Sequence, residues 1–385
     1  MKAANSLLVL LILFAPGFGA DHTTRIHANG EPARLTFTST IIGATTMDKV
    51  KCAFGLPLDS KPFKGKTYAE VAKLLKEMGI TAVCACPQDT ELIRELHRAG
   101  IKAYAEMGMF VGKRHWEAHP ESHPINAEGK PIGEPHPGYC GVCPNQEWLR
   151  KEILDKVADR FQTFEYDGLW LDFIRYPGRW EEKKPILEEC CFCDVCLGKF
   201  AGSSNISYPA NLKSTKDKAQ WILANHRQEW VQFKCDTITD FVRQIRKAMA
   251  RENSDAILGI FNVPWTRDEF DGAVLNHLGQ DVKALAGYVD VFSPMVYHRY
   301  CRRPMRWIAE YTDWVRQATG RPVWPIVQVC DEPKPVKMSG DEVYRTLRTG
   351  LEADGSSGVM PFTLKHAVDD PAKLDALRKA FSGQK

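Results

Sequence analysis

A short β-branched or aromatic run, a loop, and then a segment with apolar residues at helical spacing, often closed by Gly, recurs eight times along this chain. The first units read "KVKCAFGLPL" with "YAEVAKLLKEMG", "ITAVCACP" with "DTELIRELHRAG", and "IKAYAEMGMF" with a long loop and "NQEWLRKEILDKVADRFQ". The fourth run is "YDGLWLDFIRYP"; its return helix is expected late, from about Trp221 to Arg251, after a Lys-, Glu-, Ser- and Cys-rich insertion at about 178–220. Runs five to eight are "AILGIFNVPW", "YVDVFSPMVYH", "RPVWPIVQVC" and "SSGVMPFTLKHA", each trailed by a helical pattern. Strict alternation of strand and helix calls for parallel strands joined by right-handed crossovers. Eight such units close on themselves, so the expected fold class is α/β, a (β/α)8 TIM barrel over residues 49–385 with a Cys-rich insertion after strand 4. A doubly wound open sheet is the alternative, but no glycine-rich phosphate fingerprint follows any of the runs.

Before the barrel, residues 1–20, "MKAANSLLVLLILFAPGFGA", combine an early Lys, an apolar stretch from Leu7 to Phe14 and small residues at the end. That pattern is a secretory signal peptide, and it implies a secreted or periplasmic protein. The stretch is shorter than the ~20 residues a membrane span needs, and no later segment approaches that length, so no transmembrane segment is expected. Residues 21–48 read as a lead-in strand or strap. A net charge of +3 without long basic runs argues against a nucleic-acid partner. Asn205 opens an "NIS" glycosylation sequon, relevant only in a host that glycosylates exported chains.

In a barrel of this kind the chemistry gathers where strands end and run on to helices. Asp172 closes the fourth run, and alternation puts it on one face with Gly168 and Trp170, pointing into the barrel mouth. Its non-catalytic alternative is an internal ion pair with Arg175 or Lys102. Glu106 ends the third run on the same side, and two carboxylates on neighbouring strand ends are the minimum for glycoside hydrolysis: Asp172 as nucleophile or base, Glu106 as the leading acid. Glu106 could equally be a structural partner of Arg175 or His298. Asp331, Glu332, Asp268 and Glu269, in the loops after strands seven and five, are the other candidates for the acid. Asn262, Trp265, Tyr297, His298 and Gln328 end runs five to seven, and His115 with Trp116 follows run three. Aromatic faces stack on sugar rings, and amides or imidazoles satisfy hydroxyls, so the rim reads as a carbohydrate site. Traces of competing barrel chemistries are absent: no His-x-His ends strand one, no Lys ends strand six, and no glycine-rich loop follows strand seven. No catalytic cofactor is expected.

Twelve cysteines remain to be placed. Cys84 and Cys86 alternate along an apolar run and read as small core residues. "CCFCDVC" offers Cys191, Cys193 and Cys196 as three ligands of a tetrahedral structural zinc, with Cys143 the expected fourth and Cys140 or Cys190 the alternatives. In an exported chain, disulfides tying the same loops together are the competing reading.

At "CGVCPNQEWLRKEI" and "YDGLWLDFIRYP" the chain resembles the glycosyl-hydrolase-like TIM barrels labelled family 10-like glycosyl hydrolases. "VFSPMVYH" and "GVMPFTL" are similar to the same group's sixth and eighth strands, so the resemblance spans roughly Lys49 to Leu364. The fourth strand also resembles that of the α-amylase superfamily, which implies a nucleophile at Asp172. That family has an Arg where Trp170 stands and a strand-five Glu where Asn262 stands. The Cys191, Cys193, Cys196 cluster is similar to the structural zinc site of certain barrel-type β-galactosidases. Taken with the residues, the resemblance implies a secreted glycoside hydrolase with Arg175, Tyr176, Asn262, Trp265, Tyr297, His298 and Gln328 holding a carbohydrate substrate. A glycan-binding barrel without catalysis is the alternative that the missing strand-five Glu favours.

Overall fold

The computed structural model describes residues 48–133 and 140–382; the leader at 1–20 and all of the 21–48 lead-in except Asp48 lie outside them. The eight expected strands are present: β1 Val50–Phe54, β2 Ala82–Cys84, β3 Lys102–Gly108, β4 Gly168–Asp172, β5 Ile257–Asn262, β6 Val291–Val296, β7 Ile326–Gln328 and β8 Gly358–Phe362. Each pairs in parallel with the next, and β1 pairs with β8, closing a (β/α)8 barrel.

The helices form where the sequence supplies caps and one apolar stripe. Thr67 and Glu70 make a reciprocal capping box at the start of Tyr68–Glu77, which buries Val71, Ala72 and Leu75 against the strands. Asp89 caps Thr90–Arg98 by accepting a hydrogen bond from the Leu92 N–H, and Leu92, Ile93 and Leu96 are buried. Two helical segments differ from expectation. The return after β4 is two helices, Thr215–Asn225 and Arg227–Glu252, broken at His226. After β5 only single turns form, Ala273–Asn276 and Val282–Leu285. There Phe270, Asp271, Gly272 and Gly279 all take positive φ, which interrupts the hydrogen-bond ladder of a longer helix.

Inside the barrel, large aromatic side chains fill the middle. Trp170 packs on Trp324 with ring centroids 5.1 Å apart and on Tyr104 at 4.7 Å, and its indole N–H donates to Ser293 Oγ at 3.0 Å. The indole lies across β5, where a Cβ on Gly259 would stand 2.2 Å from the ring. Only glycine fits that position. This contact also fixes which residues face inward: Trp170 on β4, Gly259 and Phe261 on β5, Ser293 and Met295 on β6.

The insertion after β4 starts as a small hairpin, with Arg179 and Ile186 exchanging backbone hydrogen bonds of 3.0 and 2.9 Å, and continues into the helix Asp194–Ser204. Asn205 is exposed at the end of that helix. No helix among the described residues is long and apolar enough to cross a membrane.

Candidate active site

Glu106 pairs in register with Trp170, and Gly108 with Asp172, so both carboxylates share the inward parity of Trp170. Asp172 sits at the mouth; Glu106 lies one pleat deeper on the adjacent strand. The Asp172 Oδ1 accepts a hydrogen bond of 2.7 Å from the Phe173 N–H, directed there because Phe173 leaves the strand with φ 48°. A bulky residue in the left-handed region costs on the order of 1–3 kcal/mol, and such strain concentrates at functional positions.

Burial pushes the Asp172 carboxyl up to about 6; the Phe173 N–H and the Arg175 charge pull it down, and Glu181 raises it further. Burial first, and then the charge of Asp172, lift Glu106 to about 7, with Arg160 opposing. The two carboxyls are thus coupled: the Asp172 charge favours the protonated form of Glu106.

Neither proposed clamp closes on Asp172, which forms no ion pair among the described residues. Lys102 begins β3 at the opposite end of the barrel and pairs with Asp167 at 2.6 Å. The Arg175 Nη1 donates to the carbonyls of Tyr176 and Gly178, at 3.3 and 3.0 Å, fixing the wall of the loop. Arg160, from helix Glu147–Thr163, donates to the Glu106 carbonyl at 2.7 Å.

The expected sugar-binding residues separate into two groups. Tyr297 reaches the mouth, its ring 4.8 Å from that of Phe362 and 5.7 Å from that of Trp180. Gln328 faces inward below it, but its amide is committed to the Tyr300 N–H at 3.2 Å and to the Glu332 carbonyl. Arg175 donates to the loop carbonyls already named, and the remaining four do not face the mouth. Asn262 has outward parity, is fully buried and approaches Tyr311 Oη at 3.4 Å in the helix layer. His298 is outward as well, 3.4 Å from Glu342. Trp265 packs on Phe270 behind β5, at 4.8 Å. Tyr176 lies beside the thiol cluster, where its hydroxyl meets the Asn145 amide at 3.3 Å. For Asn262 and His298 the correction is one of parity: the inward neighbours are Phe261 and Tyr297. His115 and Trp116 pack on their own loop, His115 against Trp148 at 5.5 Å and Trp116 stacked on His123 at 4.0 Å.

Of the alternative acids, Asp331 pairs with Lys373 and Glu269 with Arg303, each at 2.5 Å, while Asp268, next to Glu269 in the chain, is exposed. Glu332 reaches the mouth, lining a cavity of about 450 Å³ with Glu181, Tyr297, Tyr300, Arg302 and Phe362. The sequence reading missed Glu181. It falls in the insertion, outside any strand, where periodicity gives no orientation.

Next to the barrel, the Sγ atoms of Cys143, Cys191, Cys193 and Cys196 all lie within 4.8 Å of one another and are buried. Cys143 joins the other three; Cys140 and Cys190 do not. The cluster also receives N–H groups: Ile125 N–H to Cys191 at 3.4 Å, Asn145 N–H to Cys143 at 3.5 Å and the Asn145 amide to Cys196 at 3.2 Å. N–H groups aimed at sulfur stabilise thiolates, so this donor set fits a tetrahedral metal, and all four thiols are free rather than paired as disulfides.

No protein-family model and no curated protein matches the sequence. Solved structures do. The glycoside hydrolase domain of PgaB (BpsB) from Bordetella bronchiseptica superposes with a TM-score of 0.64 at 15% identity, covering 88% of this chain and 100% of that domain. A β-galactosidase from the psychrophilic Marinomonas ef1 gives 0.61 at 13%, covering 87% of this chain and 59% of that one. The α-L-fucosidase isoenzyme 2 from Paenibacillus thiaminolyticus gives 0.55 at 14%, covering 87% and 49%. At these identities the likeness is one of fold: the chain is a TIM barrel of the architecture on which these glycoside hydrolases are built.

Proposed function

We propose that this protein is an exported glycoside hydrolase that cleaves an oligo- or polysaccharide with Asp172 and Glu106. The observation that carries the reading is the pair itself: two inward carboxyls on adjacent strands at the C-terminal end of a barrel, both pushed up by burial. In that arrangement Asp172, as carboxylate, is the nucleophile, or the base that activates water. Glu106, as carboxylic acid, donates its proton to the glycosidic oxygen as the C–O bond breaks. The neighbouring folds named as glycoside hydrolases support a sugar substrate at the level of architecture.

The four thiols would hold a structural zinc, closed to water, that ties the loop after β3 to the insertion after β4. A metal there supplies rigidity and takes no part in bond cleavage.

The test is release of reducing ends from a glycan panel by the wild type, Asp172→Asn and Glu106→Gln. Loss of about 10³-fold or more in both variants, with folding retained, is expected for an acid and its partner. Full activity in Asp172→Asn would remove that residue from the mechanism. A second reading, a glycan-binding barrel without turnover, is favoured by Phe261 taking the inward position at the end of β5 in place of a carboxylate. Glycan binding by the wild type with no new reducing ends would select it.

A further inference from the structure

The Glu181 carboxylate lies at the barrel mouth with little hydrogen bonding among the described residues. Glu182, beside it, is neutralised by Arg179. Glu181 instead accepts only the neighbouring Trp180 N–H, at 3.2 Å through Oε2, so its second oxygen has no partner among the described residues. The backbone that carries the side chain is held in place all the same. Trp180 is 1% exposed and packs on Tyr297, and the Arg179–Ile186 hairpin fixes the backbone on either side. Glu181, Glu332 and Arg302 line the cavity of about 450 Å³ together with the aromatic rings of Tyr297, Tyr300 and Phe362. That volume suits a small number of sugar rings, and charged groups together with aromatic carbon in one hollow are what a pyranose with hydroxyl edges and C–H faces requires. Tyr297 and Phe362, on the inward parity at the ends of β6 and β8, are the walls the hollow shares with the barrel mouth into which Asp172 opens.

We propose that this hollow is a pyranose-binding subsite adjoining the bond that is cleaved, in which Glu181 accepts hydrogen bonds from sugar hydroxyls and Tyr300 packs against the ring. The subsite rests on the glycosidase reading for its substrate class, and it belongs to the β4 insertion rather than to the barrel strands. The insertion therefore selects the glycan, while β3 and β4 supply the chemistry.

Calorimetric titration of soluble cello-, xylo-, galacto- and chito-oligosaccharides into Asp172→Asn, a background without turnover, tests it. For any oligosaccharide that binds, adding Glu181→Gln is expected to weaken affinity about ten-fold or more, as loss of charge-assisted hydrogen bonds does. Adding Tyr300→Ala should weaken the same ligand, and Asp236→Asn, in a groove on the outside of the barrel, should leave it unchanged. Unaltered affinity in both the Glu181 and Tyr300 variants overturns the subsite while leaving the catalytic pair standing. Weakened binding in a protein whose wild type releases no reducing ends keeps the subsite and removes hydrolysis. Failure of the wild type to bind any of the panel overturns both.

Discussion

Asp172 and Glu106 stand two positions apart in barrel register, and the Phe173 N–H and Arg175 charge beside Asp172, together with the Asp172 charge beside Glu106, favour the proton on Glu106. Activity should fall as the pH drops through about 6, where Asp172 takes up a proton, and fall again above about 7, where Glu106 loses its own. A narrow bell in kcat/KM follows, with apparent limits belonging to the pair. Glu106→Gln should abolish the alkaline limb in whatever activity remains; a profile flat from pH 5 to pH 9 in the wild type would contradict the assignment. Asp172 and Tyr297 were legible in the sequence because polar or aromatic residues close their runs on the inward parity. Asn262 and His298 were not. Parallel strands buried on both faces read as continuous apolar runs, so nothing in "GIFNVPW" tells Phe261 from Asn262 as the inward residue. Parity there is set by Trp170 lying against Gly259, a contact between distant parts of the chain.

Among the elements, β5 and the thiol clasp make the most specific demands. Gly259→Ala forces a methyl into the Trp170 ring, and overpacking of this kind should cost about 1–3 kcal/mol, read as a lower urea midpoint with unchanged slope. A neutral result would mean that the Trp170 indole is free to move aside. The clasp predicts about one zinc per chain by elemental analysis of protein purified without added metal. Cys196→Ser should lose that metal and melt at lower temperature, whereas Cys140→Ser, outside the cluster, should retain the metal. Metal-free wild type with full thermal stability would argue against the assignment. Three of the four cysteines of "CCFCDVC", Cys191, Cys193 and Cys196, were readable as a cluster from their spacing, and Cys143 from the adjacency of the loops after β3 and β4. The reduced helix after β5 was less so, since its left-handed turn begins at Phe270 and Asp271, non-glycine residues that rarely take positive φ, before reaching Gly272.

At the scale of the whole molecule, alternating strand and helix patterns were enough to specify a closed eight-stranded barrel, because each local pattern agrees with the same architecture. The insertion after β4 escaped that logic. Its hairpin and thiol clasp are irregular, and they place Glu181 at the mouth through contacts that no period encodes. The proposed division of the protein is thus a regular barrel holding two carboxyls and an irregular insertion shaping the cleft above them. A crystal structure of Asp172→Asn soaked with an oligosaccharide that the protein binds tests this account most directly. The account predicts an anomeric carbon over position 172, with the glycosidic oxygen within reach of the Glu106 carboxyl. A sugar held only in the outer groove near Asn145 and Arg150, with the mouth empty, would contradict it.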